Sequence, residues 1–297
     1  MSELLQVSNE VADALASARP VVALETSIVG QGLPHPYNLR AAHECEAAIR
    51  EEGAVPATVG VLDGRLCVGL TDAQLQRIAS GAIKVSSRDL GWTLVRGEVG
   101  ATTVAATMRV AAMAGIKFFA TGGIGGVHRG HPEDESADLV ELSRTEVAVF
   151  CAGAKIILDL RLTLERLESL AVPVVGYGSD EFPAFYSAHS GLAVGSRVDG
   201  PIEAARVLRA SWATGSRGVV VAVPPPAELD DAEELVQRAV RELTDVTGPD
   251  VTPRLLARVA ELSNGRSLDL NVDLVVNNAR VAARVASAFS AMRGDLT

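Results

Sequence analysis

Residues 102–123 read TTVAATMRVAAMAGIKFFATGG, and the change of period inside this stretch decides the fold class. The first thirteen residues are small and apolar with Met and Val recurring at helical spacing. Gly115 closes that run, and five residues, Ile116 to Ala120, lead with strand character to Thr121-Gly122-Gly123. A helix that runs straight into a short buried strand, ending on glycine, is half of a βαβ unit. The same alternation extends in both directions. PVVALETSIV reads as a strand, and Asn38 is placed to cap a helix through HECEAAIREE that stops at Gly53. VPATVGVLDGRLCVGL reads as a hairpin turning at Asp63-Gly64, and Thr71-x-x-Gln74 is a capping-box pattern opening DAQLQRIAS. Downstream, strands are expected at IKVSS, EVAVFCAGA, VPVVGYGS and GVVVAVPPP, separated by helical ADLVELSRT, LTLERLESL and PIEAARVLRASWATG. From Asp230 onward the pattern is helical. The expected architecture is therefore a three-layer α/β/α fold with a mainly parallel, possibly mixed sheet and extra helices at the C-terminus. No composition break divides residues 1–297, so one domain is expected.

Composition narrows the function. Hydrophobic residues make up 48% of the 297 and aromatics only 4%, so Ala, Val and Leu must fill the core. A formal charge of −10 argues against a nucleic-acid surface, which needs a basic face. Cys45, Cys67 and Cys151 lack metal or disulfide spacing and read as buried thiols. The first residues, MSELLQVSNEVADALA, do not have the form of a signal peptide, and no apolar stretch is long enough to span a bilayer. A cytoplasmic protein with no membrane partner is expected.

Of 27 basic residues only Lys84, Lys117 and Lys155 are lysine; the other 24 are arginine. Only an amine readily loses its proton to become a nucleophile, which makes each lysine a candidate. Lys155 lies in AVFCAGAKIILDL, with no other positive charge between Arg144 and Arg161. Dry surroundings of this kind are one physical route to a Schiff-base lysine. The alternative is a lysine that snorkels from a strand end. Lys84, at the start of IKVSSRDL, either stabilises a helix C-terminus or brings a second ammonium to the same crevice. Lys117 lies at the opposite end of its strand and carries no expected chemistry. Glu25 stands in an apolar strand context, as a general acid or base or as half of an ion pair with an arginine. ATGGIGGVHRGHPEDESADL combines backbone N–H groups that suit an oxyanion with His128, His131, Glu133, Asp134, Glu135 and Asp138, which suit a hard divalent cation. Its plain reading is an acidic loop with a helix starting near Ser136.

Taken together, ALETSIVGQGLPHPYN, GVLDGRLCVGL, KVSSRDL, GATTVAATM, ATGGIGGVHRG, SADL and CAGAKIILDL resemble the pseudouridine-5′-phosphate glycosidase family. VPVVGY, PAFY, TPRLLARVAEL and SLDLNVDLVVNNA extend the resemblance over roughly residues 20–285. The resemblance implies reversible cleavage of the C–C glycosidic bond of pseudouridine 5′-phosphate to uracil and ribose 5-phosphate. It implies Lys155 as the Schiff-base lysine and Glu25 as the proton donor. Lys84, Thr103, Val104, Ser136, Ala137, Asp138 and Asn271 are the implied substrate contacts, with Asn278 a neighbour. Asp134 is the implied metal-associated acid, with Mn2+ as the ion, and a homotrimer is the implied assembly. Glu135 stands where the family pattern has an apolar residue. A lysine suits this chemistry because a carbon leaving group has no lone pair to protonate, so the two-carboxylate route of ordinary glycosidases is poor. Two other readings remain: a class I aldolase acting on a sugar phosphate, and a phosphometabolite-binding protein without catalysis.

Overall fold

The computed structural model describes residues 4–242 and 251–292; part of the helical pattern expected after Asp230, residues 243–250, lies outside them. Leu5–Val7 (β1) and Asn9–Ala16 (α1) lead to Val21–Leu24 (β2), a π-helical turn at Ile28–Gly32 and Tyr37–Glu51 (α2). The hairpin Val55–Leu62 (β3) and Arg65–Val68 (β4) precedes Asp72–Ala79 (α3), Ile83–Val85 (β5), Leu90–Arg96 (α4), Gly100–Thr102 (β6) and Val104–Met113 (α5). Phe118–Ala120 (β7), Val127–His128 (β8), His131–Glu135 (β9) and Ala137–Leu142 (α6) carry the glycine-rich segment. Ala148–Cys151 (β10), Leu158–Asp159 (β11) and Leu160–Ser169 (α7) carry Lys155. Val174–Tyr177 (β12), Ser196–Val198 (β13), Pro201–Ala213 (α8) and Val219–Ala222 (β14) follow, then Ala232–Glu242 (α9), Val251–Leu262 (α10) and Arg266–Ala291 (α11).

The main sheet runs β1-β4-β3-β2-β7-β10-β14-β12-β13, with β6 also pairing β3, and β5 pairing β6. It is parallel except where β3 meets β4 and β6, the mixed sheet expected from the sequence. β2, β3, β10 and β14 are buried at every position, the continuous apolar signature of strands covered on both faces. Val, Ala and Leu supply most of that core. Asp63 and Gly64 both have positive φ, so the β3–β4 turn is type I′ as the dipeptide predicts. Thr71 and Gln74 form the expected capping box, and Ser136 caps α6 through the Asp138 amide.

Three local expectations are corrected. Asn38 does not cap α2, because Pro36 occupies the cap position and the helix already begins at Tyr37. Its buried amide instead donates to the Val29 carbonyl at 3.0 Å, tying α2 to the π-helical turn. Glu25 stands one residue beyond β2, at its C-terminal end. Residues 127–135 are not an open loop: β8 and β9 pair, and β8 pairs again with β11 in a small separate sheet.

Candidate active site

Strands β2, β7 and β10 are parallel neighbours, so the segments leaving their C-terminal ends emerge side by side. These are the segments that begin with Glu25, Thr121 and Ala152. In a parallel sheet this edge is where ligand sites form. The β7 and β10 segments continue to pair beyond the strands. The Ala152 amide donates to Gly122 O at 2.9 Å, Ile124 to Gly153 O at 3.0 Å, and Lys155 to Ile124 O at 3.0 Å. Lys155 is therefore held by its main chain against the glycine-rich segment. Arg129 reinforces the stretch by donating to the Ile156 and Leu158 carbonyls while pairing with Glu233.

Two glycines make this approach possible. Gly153 has φ +79°, and a Cβ there would lie 2.0 Å from Pro183 O. A Cβ on Gly123 would meet the Phe185 ring at 2.7 Å. Phe185 itself has φ +63°, an unusual backbone state for a bulky residue and a kind of strain that gathers at binding sites.

Behind the strand ends, α11 supplies the support. Asn278 donates to Thr121 O at 2.8 Å and to Gly122 O at 3.3 Å, fixing the turn from below. Asn271, two helical turns earlier, approaches the buried Tyr186 hydroxyl at 3.3 Å. Burial raises the proton affinity of that phenol well above the ordinary range.

Glu25, Lys84, Lys155 and Asn271 line one cleft, together with Ser27, Ile28, Gln31, Gly32, Thr121, Gly122, Gly123, Phe185 and Leu256. The cleft encloses about 540 Å³, including solvent at its mouth. Glu25 is only 8% exposed. Its two carboxylate oxygens accept from the Ser27 and Thr121 hydroxyls. Burial pushes the carboxyl above its ordinary pKa; the positive charge of Lys155 and both hydroxyls oppose that shift, and Asp138 adds to it. The same balance shows that Lys155 and Glu25 interact. A buried carboxyl and a half-buried lysine share one cleft.

The remaining expected residues form a neighbouring group outside this lining. Asp138 is buried and accepts from the Ala105 and Gly125 amides, both at 2.8 Å, stapling the start of α5 to the glycine-rich segment. Thr103 is the N-cap of α5 and Val104 its first residue; Ser136 and Ala137 begin α6. Asp134 lies on exposed β9 with its carboxylate 3.3 Å from His128 Nδ1. Glu135 is paired with Arg166 at 2.8 Å. Among the described residues no three His, Cys, Asp or Glu side chains gather as a metal cage. The exposed carboxylate of Asp134 is a hard oxygen donor of the kind a largely hydrated divalent cation accepts. Lys117 pairs with Glu146 at 2.6 Å and does not line the cleft.

Residues that the sequence reading passed over are Ser27, Gln31, Thr121, Phe185 and Leu256. Ser27 and Thr121 lay inside quoted motifs, but nothing in a linear sequence says that their hydroxyls meet on Glu25. Among the described residues no helix is long and apolar enough to cross a membrane.

Comparison with known proteins converges on one family. Residues 10–288 match the Indigoidine synthase A like protein family. A pseudouridine-5′-phosphate glycosidase of Nocardioides sp. is 50% identical over 301 residues, covering 98% of each chain. One from Deinococcus radiodurans is 50% identical over 297 residues, covering 96% of this chain and 95% of its own. Among solved structures, the prealnumycin C-glycosynthase AlnA in complex with ribulose 5-phosphate superposes with a TM-score of 0.89 at 40% identity, covering 97% of this chain and 98% of that one. An indigoidine synthase A-like protein from Thermotoga maritima gives a TM-score of 0.89 at 31% identity, covering 97% of both chains.

Proposed function

We propose a lysine-imine mechanism for this chain, which belongs to the Indigoidine synthase A like family and, with it, to the pseudouridine-5′-phosphate glycosidases. The substrate is pseudouridine 5′-phosphate and the products are uracil and ribose 5-phosphate. The observation that carries the reading is that Lys155 and a buried, protonation-prone Glu25 line the same cleft at the mouths of three adjacent parallel strands.

Glu25 delivers a proton to the ribose ring oxygen as the C1′–O4′ bond breaks, and Lys155 Nζ forms a bond to C1′. The ionised Glu25 then takes a proton from the attached amine, which restores the nitrogen lone pair, and delivers it to uracil C5. That lone pair closes a C=N bond to C1′ while the C1′–C5 bond breaks, its electrons restore the C5=C6 bond, and uracil leaves. One water adds to the protonated imine, ribose 5-phosphate departs, the amine is restored and the released proton returns to Glu25. The whole sequence consumes one water and needs no oxidant. Arginine cannot take the place of Lys155, because its guanidinium stays protonated. Lys84 supplies a second cation at the same cleft and Asn271 meets the base.

The backbone around Thr103 and Val104 and the segment Ser136-Ala137-Asp138 contact the substrate, and the glycine-rich segment holds its phosphate, a role that suits glycine-rich turns. Asp134 would hold Mn2+ beside it, and the ion would supply charge neutralisation at the phosphate. That a relative of this fold was solved with a sugar phosphate, ribulose 5-phosphate, supports a phosphosugar site. That the same relative is a C-glycosynthase supports chemistry at a carbon–carbon glycosidic bond. A homotrimer and residence in the cytoplasm complete the proposal.

The test is incubation with pseudouridine 5′-phosphate, with and without Mn2+, while the ultraviolet absorbance of free uracil is followed. Uracil and ribose 5-phosphate are expected in equal amounts. Release of an aldehyde fragment without uracil would indicate an aldolase, and affinity without any turnover a binding protein.

A further inference from the structure

We infer that Gln31 is a specificity-determining residue whose side-chain oxygen accepts a ring N–H of the base. This inference rests on the glycosidase reading and names how the same cleft selects uracil. Gln31 sits in the π-helical turn Ile28–Gly32, four residues after Ser27, and lines the cleft. Turns of this type are rare and concentrate at functional sites. The Gln31 Nε2 donates to the Ala82 carbonyl at 2.6 Å. A carbonyl can only accept, so this bond fixes which end of the amide is nitrogen. The other end, Oε1, is buried and has no hydrogen-bond partner.

Among the described residues, the other buried side-chain atoms without partners belong to Glu98, His128, Asp231 and Asn278. None of these residues lines the cleft, whereas Gln31 does. A buried acceptor left unpaired is costly, and a ligand that brings a donor recovers that cost. The rest of the cleft is rich in donors: Lys84 and Lys155 contribute amine nitrogens and Asn271 an amide nitrogen. Those suit the phosphate, the uracil carbonyls and the sugar oxygens. Sugar hydroxyls both donate and accept, so they can be satisfied by such groups. The two ring N–H groups of uracil only donate and require an acceptor. Both oxygens of Glu25 are already engaged by Ser27 and Thr121. Among the described residues lining the cleft, Gln31 Oε1 is the buried side-chain acceptor without a partner.

The reverse reaction tests this directly, with ribose 5-phosphate and uracil, 1-methyluracil or 3-methyluracil as the base, using wild type and Gln31→Met. Methionine keeps the length of the side chain but removes the acceptor. The wild type is expected to disfavour one of the methyluracils in kcat/KM by at least about 10-fold, because that methyl replaces the donated hydrogen. Gln31→Met should lose about 10- to 100-fold on uracil, mainly through KM. In the variant, the penalty for that same methyluracil should shrink to within about 3-fold, while the ratio for the other stays as in wild type. Equal use of all three bases by the wild type overturns the inference without any variant. So does an equal loss on all three bases in Gln31→Met, which marks a structural role, or an unchanged KM for uracil. A wild type that turns over neither pseudouridine 5′-phosphate nor uracil overturns the glycosidase reading and this inference with it. Turnover with the wrong pattern overturns the inference alone.

Discussion

The cleft at the ends of β2, β7 and β10 and the β8–β9 hairpin beside it both place carboxylates next to basic groups, but in opposite surroundings. Glu25 is 8% exposed and held by two hydroxyls. Asp134, on the hairpin, has a side chain that is 52% exposed and faces a histidine. Burial alters the chemistry of the first: its proton is retained above the ordinary carboxylate range. Exposure suits the second to a hydrated ion, which needs space for its waters. The proposed mechanism accordingly gives proton transfer to Glu25 and charge neutralisation to Asp134. The division follows from solvent access. Lys155 also stands on main chain held against the glycine-rich segment, whereas β9 is an exposed edge strand.

The comparison is sharpened most by Glu25→Gln. Removing the proton donor while keeping the shape should lower kcat by about 10²- to 10⁴-fold with little change in KM. The pH profile carries the sign. A carboxyl whose pKa is raised by burial stays protonated into a range where an ordinary glutamate is ionised. Activity that needs the acid form is therefore present below that raised pKa and lost as pH rises through it. The alkaline limb should disappear in Glu25→Gln. A wild-type limb within the ordinary glutamate range would contradict the assignment.

A smaller effect separates structural from ligand-binding carboxylates. Asp138→Ala leaves the Ala105 and Gly125 amides without their acceptor. It should cost about 1–3 kcal/mol, read as a fall in thermal midpoint. Asp134→Ala should change stability by less than about 0.5 kcal/mol, since the side chain is exposed. Its effect should instead be loss of any stimulation by Mn2+. Equal destabilisation by the two substitutions would break the distinction between the buried group and the hairpin.

Particular residues show what was legible in the sequence. Asp63-Gly64, Thr71-x-x-Gln74 and Ser136 carry local rules of turn and cap geometry, and the chain obeys them. Alternating helix and strand patterns located the sheet because strands buried on both faces leave continuous apolar runs. Lys155, Lys84, Glu25 and Asn271 stood out by chemical type or by resemblance, and the fold gathers all four into one cleft. Residues 131–135, HPEDE, gave no strand signal, with a proline and three acids among them. They form β9 only because β8 offers a partner at a sheet edge, where such residues are tolerated. Asn38 looked like a cap because its side chain type favours that position; burial against the Val29 carbonyl took it instead. Gln31, Thr121 and Phe185 were passed over for a different reason. An amide, a hydroxyl and a ring are common everywhere, and only the crossing of distant segments gives them a role.

The central claim is that Lys155 forms a covalent bond to the opened sugar. Borohydride added during turnover of pseudouridine 5′-phosphate, followed by proteolysis and mass spectrometry, tests it most directly. The expected result is a reduced ribose 5-phosphate adduct on the peptide carrying Lys155, absent when substrate is omitted. Continued uracil release with no adduct, or an adduct on Lys84 in its place, would contradict it.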